Sequence, residues 1–312
     1  MRVRAEAREP ALAARQPLSI GELLDRQGVL AYVLLFPGLL ILTAFIAYPF
    51  VTSLWLAMTD QSVSSSGASF VGLDNFTEEL TSQIFQQTVR NTLVYTAVTV
   101  VFKLAFGIGL AVLMNQSFRL KRLARAVLLL PWIVPTALSA IAWLWLFDAT
   151  FSVFNWALVH SGLATRGINW LGEGGWAMTA IITANIWRGT PFFAISILAG
   201  LQTVDRELLE AAAVDGASPW QRFWRITIPL VQPVLLIVLL FSVIWTISDF
   251  QLVYVLTRGG PANSTHLFGT LAYDVAVRAG QLSEGAAISL YMFPVLIVCV
   301  VALLLYLRRS SA

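Results

Sequence analysis

The stretch DRELLEAAAVDGASPWQRFWRITIP, residues 205–229, runs directly into LVQPVLLIVLLFSVIWTISDFQLVYVL, residues 230–256. The second part carries one charge, Asp249, and exceeds the roughly 20 apolar residues that cross a bilayer as a helix. The first part is charged and punctuated. Asp205 is a good N-cap, Glu207 suits the positive end of a helix dipole, and residues 208–214 are mostly good helix formers. Gly216 fits the left-handed position that ends such a helix. Ser218 with Gln221 makes a capping-box pattern, and Pro219 stands at the favoured first helical position. The spacing predicts two short helices joined at Gly216, set at the mouth of a membrane span.

Five more apolar runs follow the same reading: 30–50, 93–114, 126–147, 176–201 and 286–307. The composition agrees, with 58% hydrophobic and 12% charged residues and a mean hydropathy of +0.76 over 312 residues, against about 45–50% apolar and about 25% charged in a soluble domain. The expected fold is an all-α membrane protein with six transmembrane helices. Cys299 has no partner in the chain, so an intrachain disulfide is excluded. His160 and His266 have no neighbours at metal-ligand spacing, so no metal is expected.

The +3 net charge is segregated rather than spread, which argues for membrane orientation and against nucleic acid. Arg2, Arg4, Arg8, Arg15 and Arg26 precede the first run. Arg119, Lys121, Arg122 and Arg125 lie in the second loop, Arg206, Arg222 and Arg225 in the fourth, and Arg308 and Arg309 at the end. The opposite side holds only Arg90, Arg166, Arg258 and Arg278. Positive residues collect on the cytoplasmic side, so both termini are expected there. The first run is too long for a signal-peptide core and no A-x-A site follows it, so it reads as a retained span. Trp156, Trp170 and Trp176 read as interfacial anchors.

Several chemistries are missing. A P-loop needs Lys followed by Ser or Thr, but Lys103 precedes Leu104 and Lys121 precedes Arg122. Neither the paired histidines of zinc proteases nor a G-x-S-x-G elbow occurs. No catalytic residue is assigned, and ATP hydrolysis by this chain through a P-loop is excluded. Asp249 is the only carboxylate well inside a span, which keeps an ion-coupled secondary carrier as the alternative to a transporter driven from outside the chain.

The loop resembles the EAA loop of bacterial ABC-importer permeases, whose pattern is E-A-A, three residues, Gly, nine residues, I-x-L-P. Here it reads Glu210-Ala211-Ala212, then Gly216, then Ile226-Thr227-Ile228-Pro229, departing only in Ile228 for Leu. Further likeness to carbohydrate-uptake permeases comes from Trp187-Arg188-Gly189-Thr190-Pro191-Phe192, from the segment 249–261, and from Phe70-Val71-Gly72-Leu73-Asp74-Asn75-Phe76. The resemblance implies a type I (MetI-like) permease with a tail over 1–29, a first helix and external loop over 30–86, a five-helix transporter domain over 87–307 containing the EAA loop at about 203–229, and a tail over 308–312. It also implies partners: a second homologous permease, an ATPase dimer holding ATP and magnesium, and an extracytoplasmic solute-binding protein. Glu210, Ala211, Ala212, Asp215, Gly216, Ile226 and Pro229 would couple to the ATPase.

Asn185, Arg188 and Gly189, near the middle of the fourth span with Trp187 beside them, offer the planar hydrogen-bonding groups and aromatic faces that hold sugars. In the family, positions matching these three and Ser248 and Asp249 line the pathway. A structural pairing of Arg188 with Asp249 competes with that role, although the two stand roughly 9 Å apart along the membrane normal at 1.5 Å per residue. Lys103, also mid-span, reads as an internal polar contact.

Overall fold

Proline placement shapes the helices. In the computed structural model, which describes residues 27–65 and 67–310, two helical stretches widen into a single π turn two residues before a proline: Thr43–Ala47 ahead of Pro49, and Phe223–Thr227 ahead of Pro229. Proline lacks the donor for the i−4 carbonyl and its ring crowds that oxygen, and a π turn absorbs the mismatch without ending the helix.

The chain forms two compact units, Met1–Thr52 and Ser53–Ala312. In the first, α1 (Gln27–Leu42) continues through the π turn into the start of α2 (Tyr48–Ala57). Residues 30–49 are exposed and apolar all round, as a helix bathed in lipid should be. The basic residues Arg2 to Arg26 lie outside the described residues.

The second unit holds α3 (Asp74–Thr81), α4 (Gln83–Asn115), the pair α5 (Lys121–Ile133) and α6 (Thr136–Leu146), α7 (Val153–His160), α8 (Gly174–Leu201), α9 (Arg206–Val214), α10 (Pro219–Arg222), α11 (Ile228–Ile247), α12 (Gln251–Leu256), α13 (Phe268–Tyr273), α14 (Leu282–Leu290) and α15 (Met292–Ser310). Among the described residues five helices are long and apolar enough to cross a membrane, and α5 with α6 supplies a sixth span if taken as one. That pair corrects the expectation of a straight helix over 126–147. It bends by 91°, because Val134 before Pro135 is forced into extended backbone, φ −63° and ψ 128°. The run over 230–256 is likewise broken, at residues 248–250 between α11 and α12.

The core is centred on α4 and α8. Their closest approach is permitted by Gly107, where a Cβ would stand 2.4 Å from the Cβ of Phe193. Around this crossing Phe193, Ile197 and Leu201 pack on Val231 and Leu235 of α11. Toward the other end Tyr95, Trp143, Ile181 and Leu252 form a second cluster.

Candidate functional site: a polar cavity and a two-helix loop

Helix α4 carries a polar stripe in an otherwise apolar span: Thr88, Thr92, Thr96, Thr99 and Lys103, all buried, recur every three to four residues, with Tyr95 beside them. That period keeps them on one face. The stripe meets α8, whose Asn185, Arg188 and Gly189 share a face by the same spacing, and the last two turns of α11, which contribute Ser242 and Thr246. Asp249 sits in the break after α11.

The carboxylate is held by groups on other helices. Tyr95 Oη and Asn185 Nδ2 both donate to its Oδ2 at 2.7 Å, and the Leu252 N–H approaches Oδ1 at 3.4 Å. Lys103 Nζ donates to Thr246 Oγ1 at 3.1 Å. Gly189 houses the lysine, since a Cβ there would lie 2.6 Å from Lys103 Cε. Lys103, Asn185, Gly189 and Asp249 line a cavity of about 80 Å³ whose wall also includes Arg188, Ser242, Trp132, Phe192 and Trp245. The three aromatic rings stand 5.0–6.2 Å apart by centroid. Asn185 Oδ1, Arg188 Nε and Ser242 Oγ are buried without a hydrogen-bond partner. Buried polar atoms are normally paired, and all three unpaired atoms belong to residues of the cavity wall.

Of the five expected pathway residues, Asn185, Arg188, Gly189 and Asp249 line this cavity, whereas Ser248 is exposed and outside its wall. Arg188 makes no ion pair with Asp249 within 4.0 Å, because Asp249 is taken up by Tyr95 and Asn185. Trp187 faces away, about 100° round the helix from Arg188, and packs edge-on to Trp143 at 5.6 Å. It lines a separate hollow of about 1450 Å³, walled mainly by apolar residues such as Phe102, Leu110 and Leu138. That hollow offers few hydrogen-bonding groups, whereas the small cavity is lined by charged, amide and hydroxyl side chains. Trp170 is half-buried, its indole donating to Asn155 Oδ1 at 2.9 Å.

The loop over 205–229 is built from local rules. Asp205 accepts from the Glu207 N–H at 3.0 Å, opening α9. Gly216, at φ +84°, closes it, with Ala217 N donating to Ala212 O at 2.9 Å and Gly216 N to Ala213 O at 3.1 Å. This is the full Schellman pattern. The Ser218–Gln221 capping box forms in both directions, and Arg222 Nη1 reaches back to Leu209 O at 3.2 Å, tying α10 to α9. Glu210, Ala211, Asp215 and Gly216 are exposed, while Ala212 and Ile226 are half-buried; Pro229 enters α11. Leu208, Val214, Trp220 and Trp224 are also exposed.

The family described as "Binding-protein-dependent transport system inner membrane component" matches residues 103–309. The chain belongs to this family. It is thus a multi-pass inner-membrane component, and the family match takes in both the loop over 205–229 and the residues that line the cavity. Its relatives include the trehalose/maltose transport system permease protein MalF of Thermococcus litoralis, 34% identical over 86% of this chain and 90% of that one. The sulfoquinovosyl glycerol transport system permease protein SmoG of Agrobacterium fabrum is 36% identical over 91% of each. In fold, the chain is similar to a bacterial ABC transporter involved in import of the acidic polysaccharide alginate, with a TM-score of 0.78 and 22% identity over 93% of this chain and 98% of that one.

Proposed function

We propose that the chain is a permease subunit of an ATP-driven importer for a sugar or related polyhydroxylated solute. The observation that carries this reading is the coupling loop. Its backbone is satisfied by its own caps while Leu208, Val214, Trp220 and Trp224 stand in the open. A rigid, self-capped element with uncovered apolar side chains suits docking into a cleft of an ATPase subunit, which would carry ATP and magnesium. The names of the relatives support a sugar cargo. A second, homologous permease would complete the path, and a solute-binding protein would deliver the cargo. On this reading both termini are cytoplasmic, because the basic second and fourth loops must face the ATPase.

Closure of the ATPase dimer would move α9 and α10 as one body, held by the Arg222–Leu209 tie, and the chain through Phe223–Thr227 would pass that motion to α11 and the break at Asp249. Asn185, Arg188 and Asp249 would then meet the solute as the path alternates, with Gly189 keeping room for Lys103.

The test is ATP-driven uptake by the reconstituted complex. Gly216→Pro, whose ring cannot adopt φ +84°, should abolish uptake and leave membrane insertion intact. Uptake by this chain alone, without an ATPase and lost in Asp249→Asn, would replace the importer by an ion-coupled carrier.

A further inference from the structure

The polar cavity is unbalanced in charge. Lys103 and Arg188 face it with a single carboxylate, Asp249. Both oxygens of that carboxylate are already turned toward protein donors, Tyr95 and Asn185 on one and the Leu252 N–H on the other, and neither cation lies within 4.0 Å of it. Lys103 is 5% exposed, and its ammonium donates to Thr246 and to no other described residue. A cation kept in the hydrocarbon layer without a counter-charge is costly. The groups left unpaired around it belong to nearly buried side chains: Asn185 is 6% and Ser242 3% exposed.

The cavity is small, about 80 Å³. The Arg188 guanidinium offers a planar fork matched to an oxyanion, and the ammonium adds a point charge beside it.

We propose that the cavity is the subsite for one anionic group, a carboxylate, sulfonate or phosphate, carried on the transported solute, and that Lys103 sets the preference for charged over neutral cargo; this rests on the transport reading above. Gly189 acts through Lys103, because any side chain at 189 displaces the ammonium from its place against Thr246.

The assembled transporter in nanodiscs, without binding protein, is melted in glucose and in glucuronate at matched ionic strength. Glucuronate should raise the melting temperature by about 2 °C or more and glucose should not. The shift should vanish in Lys103→Gln, persist in Lys103→Arg, and shrink in Gly189→Ala, which keeps every charge. An equal response to the two probes in the wild type, or an undiminished glucuronate shift in Lys103→Gln, overturns the subsite. Uptake separates the two ideas. ATP-driven uptake without a glucuronate effect removes the subsite alone, and a glucuronate effect in a complex that shows no ATP-driven transport removes the transport reading alone.

Discussion

The polar cavity and the coupling loop are unfinished in opposite ways. Around the cavity polar atoms are left over: Asn185 Oδ1, Arg188 Nε and Ser242 Oγ have no partner. In the loop the backbone is capped at both ends of α9 and at the start of α10, and apolar side chains are left over, with Val214 89% and Trp220 70% exposed. A surplus of polar atoms calls for a hydrogen-bonding guest, and a surplus of apolar area calls for another protein surface. The kind of deficit in each region therefore specifies the kind of partner it takes.

The largest expected effect breaks the loop half of this contrast. Replacing Val214 and Trp220 together by Ala removes two exposed side chains; Trp220 meets the rings of Phe223 and Trp224, and neither side chain supplies a cap of α9 or α10. If they are anchors in an ATPase cleft, each truncation costs about 2 kcal/mol, and the pair should weaken ATPase binding more than about 100-fold. The melting temperature of the permease itself should stay within a degree or so. Co-purification and quantitative binding of the ATPase check the first part, and a thermal melt of the uncomplexed chain checks the second. If the melt falls while binding holds, the loop is covered by its own chain or by lipid and the contrast collapses.

The complementary change is Tyr95→Phe. It removes one of two 2.7 Å donors to Asp249 Oδ2 and leaves Asn185 as the other. Hydrogen bonds between membrane helices average about 0.6 kcal/mol and those to charged acceptors reach about 1.5 kcal/mol or more, so a loss of about 1 kcal/mol in stability is expected. ATPase affinity should not move. The two variants make a double dissociation, and its failure in either direction would show that cavity and loop are one cooperative element at rest.

The loop was legible residue by residue because its determinants are local. A cap, a Gly and a capping box act on their own backbone, and Asp205, Gly216 and Ser218 take the roles their positions imply. The cavity was legible only where its residues were odd for a span: Asn185, Arg188, Gly189 and Asp249. Tyr95, Thr246 and Ser242 are ordinary residues that matter because of how α4 and α11 are rotated against α8, which no single helix encodes. A signal was present, the three-to-four-residue recurrence of Thr88, Thr92, Thr96, Thr99 and Lys103, and it marks the buried face of α4. The 91° break was hidden because proline alone does not decide. Pro37, Pro191 and Pro233 sit inside helices of this same chain, while Pro135 stands between two.

The smallest effect lies outside both regions and sharpens the comparison by removing a confounder. Glu79, near the end of α3, is packed toward α14, and burial, with the charges of Glu284 and Glu78 adding to it, pushes its carboxyl up to about 7 from an ordinary 4.5. Because the folded form binds the proton more tightly than the unfolded chain does, the stability that this contributes is complete below about pH 4.5. It is lost as pH rises through about 7. Glu79 is only half-buried, so solvent screening keeps the effect modest. Melts between pH 5 and 8 should show the wild type losing stability with rising pH and Glu79→Gln showing a flatter profile that meets the wild type at the acid end; a wild type that gains stability over that range would reverse the assignment. A transport assay run across the same range would register this titration and mimic a pH response of the cavity. Any pH dependence ascribed to Lys103, Arg188 and Asp249 must therefore survive in the Glu79→Gln background, where the packing of α3 on α14 no longer changes its charge.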